Sequence, residues 1–217
     1  MKVVEELQSS FQGLRVIEHT VHNLSIVNSK PDLAIFKKEV ENRIRKSVSI
    51  EQLKDQKVVR ANRDFYWKVG IDPTKMRPAG EALARRILGG RELPTINTFV
   101  DSYNLVSAET FVAIGAFDLD SIHADSLLMR RAVKGEKFLG IGMEREIELI
   151  GLEIVIEDLR GGNLIAVYPY RDSDASKVTE NSKSVLLMMC GVPGIDEAEL
   201  QRTEILATSY VERFCSV

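Results

Sequence analysis

Residues 93–120 constrain the fold most, because a helix-spaced polar set runs directly into a short apolar segment. Asn97, Asp101 and Asn104 fall three to four residues apart, which on a helix puts them along one face. Ile96, Val100, Leu105 and Val106 supply apolar contacts beside them. The following run Val112–Phe117 is short, apolar and broken by Gly115, as in a strand that lets another group approach closely.

The rest of the chain supplies the elements around that segment. Residues 11–27 are rich in β-branched residues and fit one strand or a broken pair. Ser29-Lys30-Pro31 opens a helix, with Leu33, Phe36, Val40 and Ile44 at helical spacing. Ser49 and Gln52 suit a capping box. Val58–Val69 reads as a helix whose aromatic set, Phe65, Tyr66 and Trp67, is assigned to core packing, since base stacking needs exposed faces. Gly70 and Pro73 end it, and a further helix runs from about Arg77 to Gly89. Strands are predicted over Leu127–Ala132, Lys137–Ile141, Glu153–Glu157 and Leu164–Tyr170, with a hairpin turn at Gly161-Gly162-Asn163. Residues 173–190 are predicted to be a helix, with Met188 and Met189 as core filler. A last amphipathic helix covers 195–217. Helices, then strands, then helices make an α+β fold around a sheet core. With no low-complexity linker and no repeat, residues 1–217 read as a single domain.

Composition narrows the chemistry. The chain is 44% hydrophobic and 28% charged, ordinary for a soluble globular protein, and it has no apolar run long enough to span a bilayer. Acidic residues stand where a signal peptide has its apolar stretch, so a cytoplasmic location is expected and no membrane partner. Two cysteines, Cys190 and Cys215, and three scattered histidines give neither a disulfide framework nor a metal cluster, so no metal is predicted. The net charge of −3 confines any RNA contact to a local basic patch. Arg77, Arg85 and Arg86, with Arg91, Lys68 and Lys75 nearby, are the RNA-binding candidates; a solvated helix face explains the same cluster equally well.

No dinucleotide, Walker, zinc-protease or serine-elbow motif is present, and no cofactor is predicted. Gly140-Ile141-Gly142-Met143 lacks the third glycine and the helix of a dinucleotide site. The remaining polar groups are Asn97, Asp101, Asn104, Glu109 and Asp118, joined by Arg171-Asp172-Ser173-Asp174 and Thr179. Each of them, if buried, either ties the fold together or orients a ligand. As a set they suit an amino group or hydroxyls, and none is an obvious general base poised near neutral pH.

The run Ile96-Asn97-Thr98-Phe99-Val100-Asp101-Ser102-Tyr103-Asn104, followed by Gly115-Ala116-Phe117-Asp118, resembles the signature of the B3/B4 domain of the phenylalanyl-tRNA synthetase beta subunit. The stretch from Tyr170-Arg171-Asp172-Ser173 to Leu186-Leu187 is similar to the second half of that domain, and Tyr66–Pro78 resembles stand-alone members. The resemblance covers roughly residues 10–190. It implies a β-sandwich core with flanking helices and a pocket between its halves. In the synthetase this domain hydrolyses mischarged tRNA. The resemblance therefore places substrate binding at Asn97, Asp101, Asn104, Gly115, Ala116, Phe117, Arg171, Asp172, Ser173 and Met188. Three positions depart from the family pattern: Gly115 replaces a histidine, Met188 replaces a glutamate that reads the tyrosine hydroxyl, and Tyr103 replaces a threonine. Without that carboxylate, tyrosine is not expected to be selected by the same contact.

The resemblance implies tRNA or aminoacyl-tRNA and a small amino-acid-like ligand as partners, and no DNA. Three functions stay open: an aminoacyl-tRNA deacylase acting in trans on mischarged tRNA, a non-catalytic module binding an amino acid or tRNA end, and an enzyme acting on another amino-acid derivative.

Overall fold

The computed structural model describes residues 1–216. In chain order the elements are β1 (Lys2–Val3), α1 (Glu5–Ser10), β2 (Arg15–Val21), α2 (Pro31–Ser47), α3 (Ile50–Leu53), α4 (Lys57–Lys68), α5 (Ala79–Leu88) and α6 (Thr98–Thr110). Then follow β3 (Ala113–Asp118), β4 (Leu127–Arg131), β5 (Lys137–Phe138), β6 (Ile147–Glu148), β7 (Ile154–Asp158), β8 (Asn163–Tyr168), β9 (Arg171–Asp172), β10 (Val185–Gly191) and α7 (Glu197–Cys215).

Local chemistry sets the helix boundaries. Pro31 occupies the first turn of α2, where its missing N–H costs nothing, and Leu33, Phe36, Val40 and Ile44 are buried along one stripe. The capping box opens α3, with Gln52 N donating to Ser49 Oγ at 3.3 Å and Ser49 N donating to Gln52 Oε1 at 3.0 Å. Asn97 caps α6 by accepting from Val100 N at 2.9 Å.

Two sheets form the core. One has the order β1-β4-β7-β8-β9 and the other β2-β10-β3, with β5 and β6 as a separate ribbon. All pairs are antiparallel except β1 with β4. The expected turn joins β7 to β8, where Gly162 adopts φ 70° and its N–H donates to Asp158 O at 2.7 Å. The sheets are tied directly: Tyr168 Oη on β8 donates to Gly191 O on β10 at 3.1 Å. Helices α6 and α7 pack together and against the three-stranded sheet. The result is the α+β architecture expected from the sequence, a β-sandwich core with flanking helices.

Residues 173–190 are not a helix. After a single 3-10 turn at Asp174–Ser176, the chain forms β10, the middle strand of its sheet. All seven residues of β10 are buried. A strand covered on both faces reads as an unbroken apolar run, and such a run carries no periodicity that separates strand from helix. The predicted strand Lys137–Ile141 shrinks to two residues plus a bridge between Gly140 and Ser173. The aromatic set of α4 divides: Phe65 and Tyr66 are core, but Trp67 is 58% exposed. The last helix begins at Glu197, where the amphipathic pattern of the tail starts, and position 217 lies outside the described residues.

Candidate functional site

A cavity of about 150 Å³ lies between the two sheets. Ile114, Gly115 and Phe117 of β3, with Met188 and Cys190 of β10, make one wall. Ile156, Ala166 and Tyr168 of β7 and β8 make the other, and the segment Pro169–Asp172 closes one end with Tyr103 and Asn104 of α6. The walls are mostly apolar, so the few polar groups that reach the space set its chemical character.

Asp172 is the principal one. Its Oδ2 accepts from Ala116 N at 3.1 Å, which fixes the carboxyl across the gap between β9 and β3. Burial pushes its pKa up to about 7, only partly opposed by the Ala116 hydrogen bond. The carboxyl fits because position 115 has no side chain: a Cβ there would lie 3.2 Å from Asp172 Oδ1 and 3.2 Å from Phe117 Cε2. Here the glycine serves close approach.

Arg171 sits beside it. Its Nη1 donates to Ile141 O at 2.7 Å, its guanidinium lies 5.1 Å from the Tyr170 ring centroid, and its buried Nε has no partner. The side chain crosses Gly140, where any Cβ would collide with Arg171 Cδ. The Gly140-Ile141-Gly142 fragment is thus a clasp for an arginine.

The Tyr103 phenol and the Cys190 thiol stay protonated. Burial raises the Tyr103 phenol well above its ordinary range, with Asp172 and Asp101 adding to the effect. Burial likewise raises the Cys190 thiol, which donates to Met188 O at 3.6 Å. A protonated, enclosed thiol is a poor nucleophile. Asp172 alone at this site is poised to gain or lose a proton near neutrality.

The structure brings Asn104, Gly115, Phe117, Arg171, Asp172 and Met188 together around the cavity. Ala116 stands behind the wall and contributes its amide to Asp172. Ser173 turns the other way, accepting from Ala175 N at 3.3 Å and lining a separate surface groove. Asn97 and Asp101 are placed away from the cavity. Asn97 is consumed by the α6 cap, and Asp101 accepts from Lys37 Nζ at 2.8 Å and from Ile96 N at 2.9 Å. Helical spacing put them on one face with Asn104, but that face spans both the helix start and the cavity edge.

The arginine candidates lie outside the cavity as well. Arg77 is exposed ahead of α5, and Arg86 Nε donates to Glu92 O at 2.7 Å. Arg85 Nε lies 2.7 Å from Glu81 Oε1, a fully buried carboxylate that Arg63 also approaches at 3.4 Å. Ile156, Ala166 and Tyr168 escaped the sequence reading, because nothing in a strand's own pattern says which residues of another sheet it will face.

A family model described as the B3/4 domain matches residues 61–215, from within α4 to the end of α7. The chain belongs to the B3/4 domain family. This B3/4 protein superposes on an N-terminal fragment of the phenylalanyl-tRNA synthetase beta-subunit from Pyrococcus horikoshii with a TM-score of 0.51 and 16% identity. The superposition covers 99% of this chain and 49% of that fragment, so the chain spans about half its length and shares its fold. No curated protein matches the sequence. Among the described residues, no helix is long and apolar enough to cross a membrane, and no cluster of three side chains suited to a metal gathers.

Proposed function

We propose that this B3/4 protein binds an aminoacyl group, carried on a tRNA end or as the free amino acid, in the cavity between its sheets. The observation that carries this reading is Asp172: a carboxyl held by one backbone N–H in an otherwise apolar slot, with Oδ1 facing the empty Gly115 position. An α-ammonium placed there completes the ion pair that burial otherwise denies the carboxylate. The unpartnered Arg171 Nε and the Asn104 amide offer donors for a carbonyl or carboxylate. A cavity of about 150 Å³ takes benzene in an engineered protein, so the side chain accommodated is at most ring-sized. The fold shared with the synthetase fragment supports a tRNA-borne form of the ligand.

A second reading, hydrolysis of the aminoacyl ester, is favoured by the Asp172 pKa of about 7. A carboxylate of that basicity can take a proton from water as the water attacks the ester carbonyl, and hand it to the ribose oxygen as the C–O bond breaks, leaving a free amino acid and the ribose hydroxyl. A panel of mischarged aminoacyl-tRNAs separates the readings. Turnover above the buffer rate that Asp172→Asn abolishes identifies a hydrolase acting in trans. Thermal stabilisation by an amino acid or aminoacyl-tRNA without turnover identifies a binding module. Neither signal with any member of the panel overturns the proposal.

A further inference from the structure

Trp67 is the chain's single tryptophan, and it lies on the outside of α4. Phe65 and Tyr66, its neighbours in sequence, are 2% and 0% exposed, whereas Trp67 is 58% exposed. The helix explains the split: Val58, Ala61, Asn62, Phe65 and Tyr66 face the core, and Arg60, Asp64 and Trp67 follow one another at helical spacing on the opposite face. A half-exposed indole offers a large apolar surface on which a planar group can stack.

The surroundings of the indole are cationic. Trp67 lines a shallow cavity of about 300 Å³ with Lys54, Arg60, Arg63, Asp64, Pro73 and Thr74. Residues 54–68 carry five cations (Lys54, Lys57, Arg60, Arg63, Lys68) and two acids (Asp55, Asp64), in a chain whose net charge is −3. Arg60 pairs with Asp55 at 2.7 Å and Arg63 with Glu81 at 3.4 Å, and both line the cavity beside the indole. Lys54 and Lys68 are exposed and extend the patch on either side. The apolar surface residues Met76 and Ile147 line a different cavity, which does not include Trp67.

An exposed aromatic face bordered by cations is what single-stranded nucleic acid requires: the ring stacks a base and the cations meet the flanking phosphates. We infer that the outer face of α4, centred on Trp67 with Lys54, Arg60, Arg63 and Lys68, is a docking surface for single-stranded RNA. The inference rests on the reading that the aminoacyl group arrives on an RNA, and it replaces the α5 arginines as the contact surface. Arg63 and Arg85 share the buried Glu81 carboxylate, so pairing does not separate the two faces; the exposed aromatic does, and the α5 arginines have none among them.

Because Trp67 is the only tryptophan, intrinsic fluorescence reports this surface alone. A short unstructured single-stranded RNA oligonucleotide is titrated into the full chain. Saturable quenching that weakens steeply as salt rises is expected. With a fluorescein-labelled copy of the RNA, followed by anisotropy, Trp67→Ala lowers affinity roughly fivefold or more, and Trp67→Phe keeps part of it. The paired change Lys54→Glu with Lys68→Glu also lowers affinity and flattens the salt dependence. All these side chains are exposed, so the variants fold, and a thermal melt checks that they do. The absence of quenching, or a Trp67→Ala variant that binds RNA like the parent, overturns the inference. It is equally overturned if Trp67→Ala changes only the sedimentation behaviour, which marks the face as a protein contact. The oligonucleotide carries no aminoacyl group, so its quenching reports this surface and not the cavity, and failure at the two sites is separable.

Discussion

Gly115 on β3 and Asp172 on β9 belong to different sheets, and the missing side chain of the first makes room for the carboxyl of the second. Their approach defines the polar end of the cavity. Gly115→Ala puts a Cβ against Asp172 Oδ1 and the Phe117 ring, both within a closely packed wall. We expect a loss of about 1–3 kcal/mol in urea unfolding and weaker ligand-induced stabilisation, because overpacking there displaces the carboxyl. Unchanged values in both measurements remove Gly115 from the site.

The Asp172 pKa of about 7 lies above the ordinary carboxyl value of 3.8. The folded state therefore holds a proton that the unfolded state has released. Stability from this group is complete below about pH 4 and is lost as pH rises through about 7. Urea midpoints of the parent relative to Asp172→Asn should fall between about pH 4 and pH 7 and level off above that. An ammonium ligand favours the charged carboxyl, so its binding should strengthen over the same interval and release a proton, measurable by calorimetry in buffers of different ionisation enthalpy. A flat difference would falsify the assignment of Asp172 as the titrating group.

Lys37 and Asp101 form a pair whose side chains are 9% and 2% exposed. Removing one partner strands a buried charge, so Asp101→Ala should cost about 3–5 kcal/mol. The double replacement Lys37→Met with Asp101→Leu should recover much of that, since no charge is then left alone. Ligand affinity, measured on the folded fraction, should hardly change. A selective loss of affinity would return Asp101 to the binding site.

Asp158 is the hub of the β7–β8 turn. It accepts from Ser126 Oγ at 2.7 Å, His123 N at 2.9 Å and Gly161 N at 3.0 Å. Burial opposes its ionisation, but the hydrogen bonds from Ser126, Gly161 and His123 outweigh it and hold the carboxyl below the usual range. Its contribution is present above the ordinary carboxyl pKa and disappears as pH falls through and below it. Asp158→Ala should cost about 3 kcal/mol at pH 7, since several donors lose their acceptor, and much less in acid. Guanidinium unfolding at two pH values checks this.

Several residues that line the cavity carry a signal of their own in the sequence, yet their assembly does not. The polar spacing in α6 was correct, but only Asn104 reaches the cavity, because Asn97 must satisfy the bare N–H groups of the helix start and Asp101 must neutralise Lys37. The glycine in β3 was read as a place of close approach; that the approaching group is Asp172 depends on how two sheets are stacked. Trp67 was grouped with Phe65 and Tyr66 because neighbouring letters look alike, whereas a helix turns about 100° per residue and separates them.

The sequence by itself determined the α+β class, the ends of α2 to α5, the β7–β8 hairpin and the family pattern, since each rests on local periodicity, capping or turn chemistry. Tertiary structure alone decided that 185–191 is a central strand, which side chains share the cavity, and that Asp172 faces the space left by Gly115. Those outcomes come from residues more than fifty positions apart, brought together by burial of the two sheet faces. The close approach at Gly115 is a local signal whose meaning is written only in the packing of β9 against β3.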